Sequence, residues 1–175
     1  MNFFSLFNRV TNHEQHVASS LITTIQDNIL GKRKCNVVDI GMNDGIYTNL
    51  AASQGCLVWG AEIQGKCINM AHEAAARNNF THLIHFINKP VSSVVKDVTL
   101  KVDVNNCDGL YNLGRPDNCN VCPQVLNSRA YFNETFLSAT VDTLFPSPFH
   151  IDFMKIDAEG HDPHVFAGAI RGKTS

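Results

Sequence analysis

The run Cys35-Asn36-Val37-Val38-Asp39-Ile40, stopped by Gly41-Met42-Asn43-Asp44-Gly45, constrains this chain more than any other feature. A short apolar run ended by glycine reads as a strand buried on both faces, as in a parallel sheet. Gly41 to Gly45 is then a turn, and Ile46 to Ser53 a helix ending near Gly55. Leu57-Val58-Trp59-Gly60-Ala61 repeats the strand pattern, Lys66 to Asn78 is an alanine-rich helix, and Leu83-Ile84-His85-Phe86-Ile87 is a third strand. This alternation predicts an α/β fold with helices on both faces of a parallel sheet and a ligand edge at the carboxyl ends of its strands.

Upstream, Thr11-Asn12-His13-Glu14 reads as a capping box. Val17, Leu21, Ile22, Ile25 and Ile29 follow at helical spacing as far as Gly31 and Lys32-Arg33-Lys34. Downstream of Ser92 the pattern weakens. Val98, Leu100, Val102 and Val104 alternate as in a strand, and a polar stretch with Cys107, Cys119 and Cys122 follows. Ile151 to Asp157 restores the strand pattern, and Asp162-Pro163 supplies an N-cap and first-turn proline for a helix through Ala169. With 175 residues, 44% of them apolar, the chain can bury one core. We therefore expect an N-terminal helical segment over 1–34 and one domain over 35–175, with an insertion at about 96–138 lying over the sheet edge.

Fourteen basic and sixteen acidic residues give a net charge of -2 without blocks, so no nucleic-acid or membrane-surface partner is expected. The apolar start breaks at Asn8-Arg9, too short for a signal-peptide core or a membrane span, which favours the cytoplasm. Six cysteines and the sequons Asn79-Phe80-Thr81 and Asn133-Glu134-Thr135 point instead to the secretory path. Cys35, Cys56 and Cys67 read as small core residues. Cys107, Cys119 and Cys122 lack a fourth ligand for closed zinc coordination, so no metal site is expected. They form a disulfide within the insertion if the chain is secreted, and stay free thiols if it is cytosolic.

The turn from Asp39 to Gly45, with Gly41, Asn43 and Gly45, is a nucleotide-type cradle where backbone can pass close to a ligand. It lacks the middle and third glycines that fit a pyrophosphate, so a ligand without phosphates suits it better. Asp39 can hold the amino group of a methionine moiety, or else cap a helix near the turn. Glu62, at the end of the second strand, can accept both hydroxyls of a ribose, with an exposed charge at a strand end as the alternative. Asn88 is a candidate for an adenine edge, with a plain turn asparagine as the alternative. Lys155-Ile156-Asp157-Ala158-Glu159-Gly160-His161-Asp162 packs four charged residues and a histidine at the end of a buried strand; if that strand lies beside the first, Asp157 sits next to the cradle.

Val38 to Thr48, Glu62, Asn78-Asn79, Thr140-Val141-Asp142-Thr143-Leu144 and Lys155 to His161 together resemble the FkbM-type methyltransferases over roughly residues 36 to 169. The resemblance implies a Rossmann-like sheet, S-adenosylmethionine as cofactor, and O-methylation of a hydroxyl on a sugar or other small molecule. For transfer to a hydroxyl, Asp157, Glu159 and His161 are the candidate catalytic residues, the carboxylates to position or polarise the hydroxyl and His161 either as proton acceptor or as a structural histidine capping the following helix. The family pattern continues past Gly168-Ala169 into further strands, so C-terminal strands are expected to be missing here. That leaves an open sheet edge suited to a homodimer. Two rivals stand: a nicotinamide-dependent oxidoreductase, which calls for a fuller glycine fingerprint, and a non-catalytic cofactor-binding relic.

Overall fold

The computed structural model describes residues 15–31, 34–103, 107 and 131–169. The capping box at Thr11–Glu14, Cys119 and Cys122 lie outside them. The elements in chain order are α1 (Gln15–Leu30), β1 (Asn36–Ile40), α2 (Ile46–Ser53), β2 (Leu57–Ala61), α3 (Gly65–Arg77) and β3 (Ile84–Ile87), the last entered through a 3-10 turn at Thr81–Leu83. Then come β4 (Asp97–Asp103), β5 (Tyr131–Leu137), α4 (Val141–Leu144), β6 (Phe153–Ile156) and α5 (Asp162–Ala167).

Four strands form a parallel sheet in the order β3-β2-β1-β6. The fold is α/β and Rossmann-like. Alternation along the strands divides the core in two. Val37 and Val58 face α1, α2 and α3, packing with Leu21, Ile25, Leu50 and Ala75. Val38, Ile40 and Ala61 face the other way, against Val141, Phe145 and Val165. Ala18, Leu21 and Ile25 are wholly buried, so α1 is part of the domain core.

The chain moves outward from β1 to β3 and then crosses back to place β6 on the other side of β1. Strand order therefore reverses at β1, and the chain leaves β1 and β6 for helices on opposite faces of the sheet, which marks the carboxyl ends of these strands as the ligand edge. The two ends of the 96–138 stretch pair with each other as an antiparallel ribbon, Asp97 opposite Leu137. Sequence alternation revealed β4; β5 has too little apolar periodicity to show.

Two sequence expectations change. Cys35, Cys56 and Cys67 are buried as expected, yet they are oxidised: Cys35 pairs with Cys56, and Cys67 with Cys107. Cys107 thus bonds outside its own insertion, across a separation of 40 residues. Asp162 is not the N-cap of α5. His161 holds that position without a side-chain cap, while Asp162 accepts a hydrogen bond from the Ala158 backbone at 2.8 Å.

Candidate active site

A cavity of about 500 Å³ opens at the ligand edge, walled by Gly41 and Asn43 after β1, Glu62 to Gln64 after β2, Asp157 to Glu159 and His161 after β6, and Lys89 to Ser93 after β3. Lys96, Val98 and Leu100 close it from the ribbon side. Its size falls in the range of small-molecule sites.

Gly41 has φ of 72°, and a Cβ there would collide with the Asp157 carbonyl oxygen, so only glycine lets the β1 and β6 loops meet. Gly45 also has positive φ, but a Cβ there would press on Ala71. Its smallness seats α2 on α3, and it is not part of the cavity wall. Asn43 adopts φ of 53° and donates its backbone N–H to Glu62 Oε2 at 3.1 Å. Asn43 Oδ1 rests 2.8 Å from Cys107 Sγ, a contact and not a hydrogen bond, because disulfide sulfur carries no proton.

Glu62 is 8% exposed, and its Oε1 accepts the Ile63 and Gln64 backbone N–H groups at 2.9 Å each. Burial raises its pKa above the usual 4.5, with Asp39 adding to the rise and the three backbone donors opposing it. Asn88 lies outside the wall. Its Nδ2 donates to the Glu62 and Ile63 carbonyls at 3.0 Å, tying the end of β3 to the end of β2 and so positioning Glu62.

Asp39 is fully buried on the opposite side of the sheet from the Val38 cluster and does not reach the cavity wall. Thr48 donates to its Oδ2 at 2.8 Å, and Lys155 Nζ lies 3.3 Å from its Oδ1. Asp39 is thus linked to the site through Lys155. The sequence marked Lys155 as a charge within an apolar strand but not as the partner of Asp39. Lys155 also donates to the Gly41 carbonyl at 3.1 Å and lies 3.4 Å from Asp157, joining the cradle to the β6 loop. The signal was present: a lysine inside a buried strand requires a counter-charge, and β1 contains one acid.

His161 shares a 3.0 Å hydrogen bond with Ser92 Oγ and stacks on His164 with centroids 4.5 Å apart. Desolvation, His164 and Lys96 lower its pKa below 6.5, against Asp162. Its imidazole is therefore neutral at neutral pH and competent to take a proton. Ser92 was not singled out from sequence, where nothing marks one serine in a loop. Asp157 and Glu159 also face the cavity, Glu159 with φ of 52°. Glu62, Asp157, Glu159, His161, Gly41 and Asn43 are thus brought together, and Asp39, Gly45 and Asn88 support them from behind.

Neither a protein-family model nor a curated protein sequence matches the chain. Solved structures similar to it include a SAM-dependent methyltransferase from Agrobacterium tumefaciens, at 18% identity and TM-score 0.37 over 41% of this chain and 23% of that one. The bifunctional kinase-methyltransferase WbdD is similar at 22% identity and TM-score 0.36, over 50% of this chain and 23% of that one. The N-terminal domain of human METTL16 in complex with SAH is similar at 22% identity and TM-score 0.32, over 38% and 28%. The chain spans less than a third of the length of each of these three structures. Among the described residues no helix is long and apolar enough to cross a membrane.

Proposed function

We propose that this chain binds S-adenosylmethionine as the cofactor-binding part of an O-methyltransferase of the FkbM type, acting on a hydroxyl of a sugar or other small molecule. The observation that carries this reading is the cavity at the β1 switch point, where a glycine turn without a pyrophosphate fingerprint meets the carboxylates of Glu62 and Asp157. The residues present fit that cofactor. Gly41 and Asn43 offer close backbone approach, Glu62 has acceptor lone pairs for a diol, Asp157 complements a cationic amino group, and Ile40, Ala61, Ile63 and Val91 supply apolar wall for a purine. Bound there, S-adenosylmethionine would supply an electrophilic methyl group on a sulfonium.

The chain's own contribution is orientation and proton transfer. Holding the acceptor oxygen in line is the larger part of catalysis for such a displacement. Asp157 and Glu159 orient the hydroxyl, and neutral His161, held by Ser92, accepts its proton. As to compartment, two disulfides favour an oxidising environment over the cytoplasm.

Titration calorimetry with S-adenosylmethionine and with NAD tests the reading. Binding in the micromolar range, abolished by Glu62→Ala and absent for NAD, supports it. Preference for NAD would establish the oxidoreductase, and a folded chain binding neither would be the relic.

A further inference from the structure

The sequons are two motifs that the proposed site does not use, and the fold places both on the surface. Asn79-Phe80-Thr81 occupies the turn between α3 and β3, with Asn79 exposed at φ of 60°. Asn133-Glu134-Thr135 lies within β5, all three residues exposed. Oligosaccharide transfer acts on the extended chain before folding, so the folded structure must answer a narrower question: whether each amide is free and has room for a glycan. Asn36, Asn49, Asn78 and Asn88 each spend Nδ2 on backbone carbonyls. Asn79 and Asn133 enter no side-chain hydrogen bond among the described residues, and neither belongs to the cavity wall.

A left-handed turn accounts for an asparagine at 79. It does not account for a threonine two residues on, whose side chain also makes no hydrogen bond among the described residues. Asn79 precedes β3 and so sits at the amino-terminal end of the strands, opposite the cavity. A glycan there leaves ligand access clear. The independent observation is the pair of disulfides, Cys35 with Cys56 and Cys67 with Cys107, which favour an oxidising compartment, such as the one where N-linked transfer occurs.

We propose that Asn79 and Asn133 are N-glycosylation sites. In the transfer, asparagine Nδ2 bonds to C1 of an oligosaccharide carried on a lipid diphosphate. The C1–O bond to the diphosphate breaks, the diphosphate leaves with the electron pair, and the amide nitrogen loses one proton. The sequon threonines, Thr81 and Thr135, are required for recognition.

The test is expression of the full chain in insect cells behind a cleavable secretion leader, with recovery from the secretory pathway whether exported or retained. Peptide mapping after peptide-N-glycosidase treatment reads conversion of asparagine to aspartate at each position. Conversion at 79 and 133 is expected, lost singly in Thr81→Ala and Thr135→Ala, which keep the asparagines. Non-reducing mass analysis confirms both disulfides and hence a folded chain. A disulfide-bonded chain unconverted at either position overturns the assignment of that position.

Discussion

Lys155 stands directly opposite Asp39 in the β1–β6 register, its Nζ 3.3 Å from Asp39 Oδ1. Burial alone would depress the lysine pKa, but Asp39 and Asp157 outweigh it and raise the value above 10.5. Removing one partner strands a buried charge, which costs about 3–5 kcal/mol. Lys155→Met and Asp39→Asn should each lower unfolding stability by that order in urea, and the double variant should lose well short of the sum. A single-variant loss under about 1 kcal/mol would mean the pair is as screened as a surface bridge.

Glu62 titrates above the ordinary 4.5 because burial disfavours its charge. The native state therefore holds this proton more tightly than the unfolded chain, so Glu62's contribution to stability declines as pH rises from 4.5 through the raised value. Cofactor binding that uses the carboxylate has the opposite trend, weakening as pH falls through that same raised value. Calorimetry from acid to neutral pH should show this dependence, and Glu62→Gln should remove it while weakening binding roughly tenfold, about 1.4 kcal/mol.

For His161 the depressed pKa predicts an NMR titration midpoint below 6.5, moving upward in His164→Ala as one opposing charge disappears. Its share of stability is present above 6.5 and is lost as pH falls through the folded value. On the proposed mechanism, methyl transfer rises with pH through that midpoint and is flat near neutrality. His161→Gln should flatten the profile and lower kcat by about 10²-fold. Ser92→Ala should lower kcat with less effect on KM, since it frees the ring without touching the cofactor.

The Cys35–Cys56 bridge closes a loop with a separation of 21 residues around β1, α2 and the turn between them. Loss of such a crosslink costs about 3 kcal/mol. Denaturation of the Cys35→Ser, Cys56→Ser variant, compared with the parent with and without reductant, checks the size; a parent indifferent to reductant would show that the bridge does not form in solution.

Gly41→Ala should be among the most damaging small substitutions, because φ of 72° and the Asp157 carbonyl both oppose a Cβ. Circular dichroism should show a lower thermal midpoint, and S-adenosylmethionine binding should fall with it.

The parallel core was legible because its strands are apolar runs cut by glycine, and β2 and α2 match their expected bounds. What sequence hid was pairing over distance. Nothing local distinguishes Asp39 as a ligand from Asp39 as the counter-ion of Lys155, 116 positions away, until β6 is laid beside β1. The same holds for Cys67 with Cys107 and for Ser92 with His161. Asn88 was indistinguishable from a ligand contact because both readings put a polar residue just past a strand, and only the fold shows its amide spent on backbone.

Cys35 and Cys56 sit immediately before β1 and β2, and the Leu57 backbone N–H also donates to the Cys35 carbonyl at 2.9 Å. The two central strands are thus riveted at the end of the sheet farthest from the cavity. At the cavity end the same two strands are joined by hydrogen bonds, from the Gly41 and Met42 N–H groups to the Ala61 carbonyl and from the Asn43 N–H to Glu62 Oε2. Covalent tie and hydrogen-bonded rim thus lie at opposite ends of one strand pair, so reduction would loosen the base while leaving every cavity-wall residue chemically unchanged.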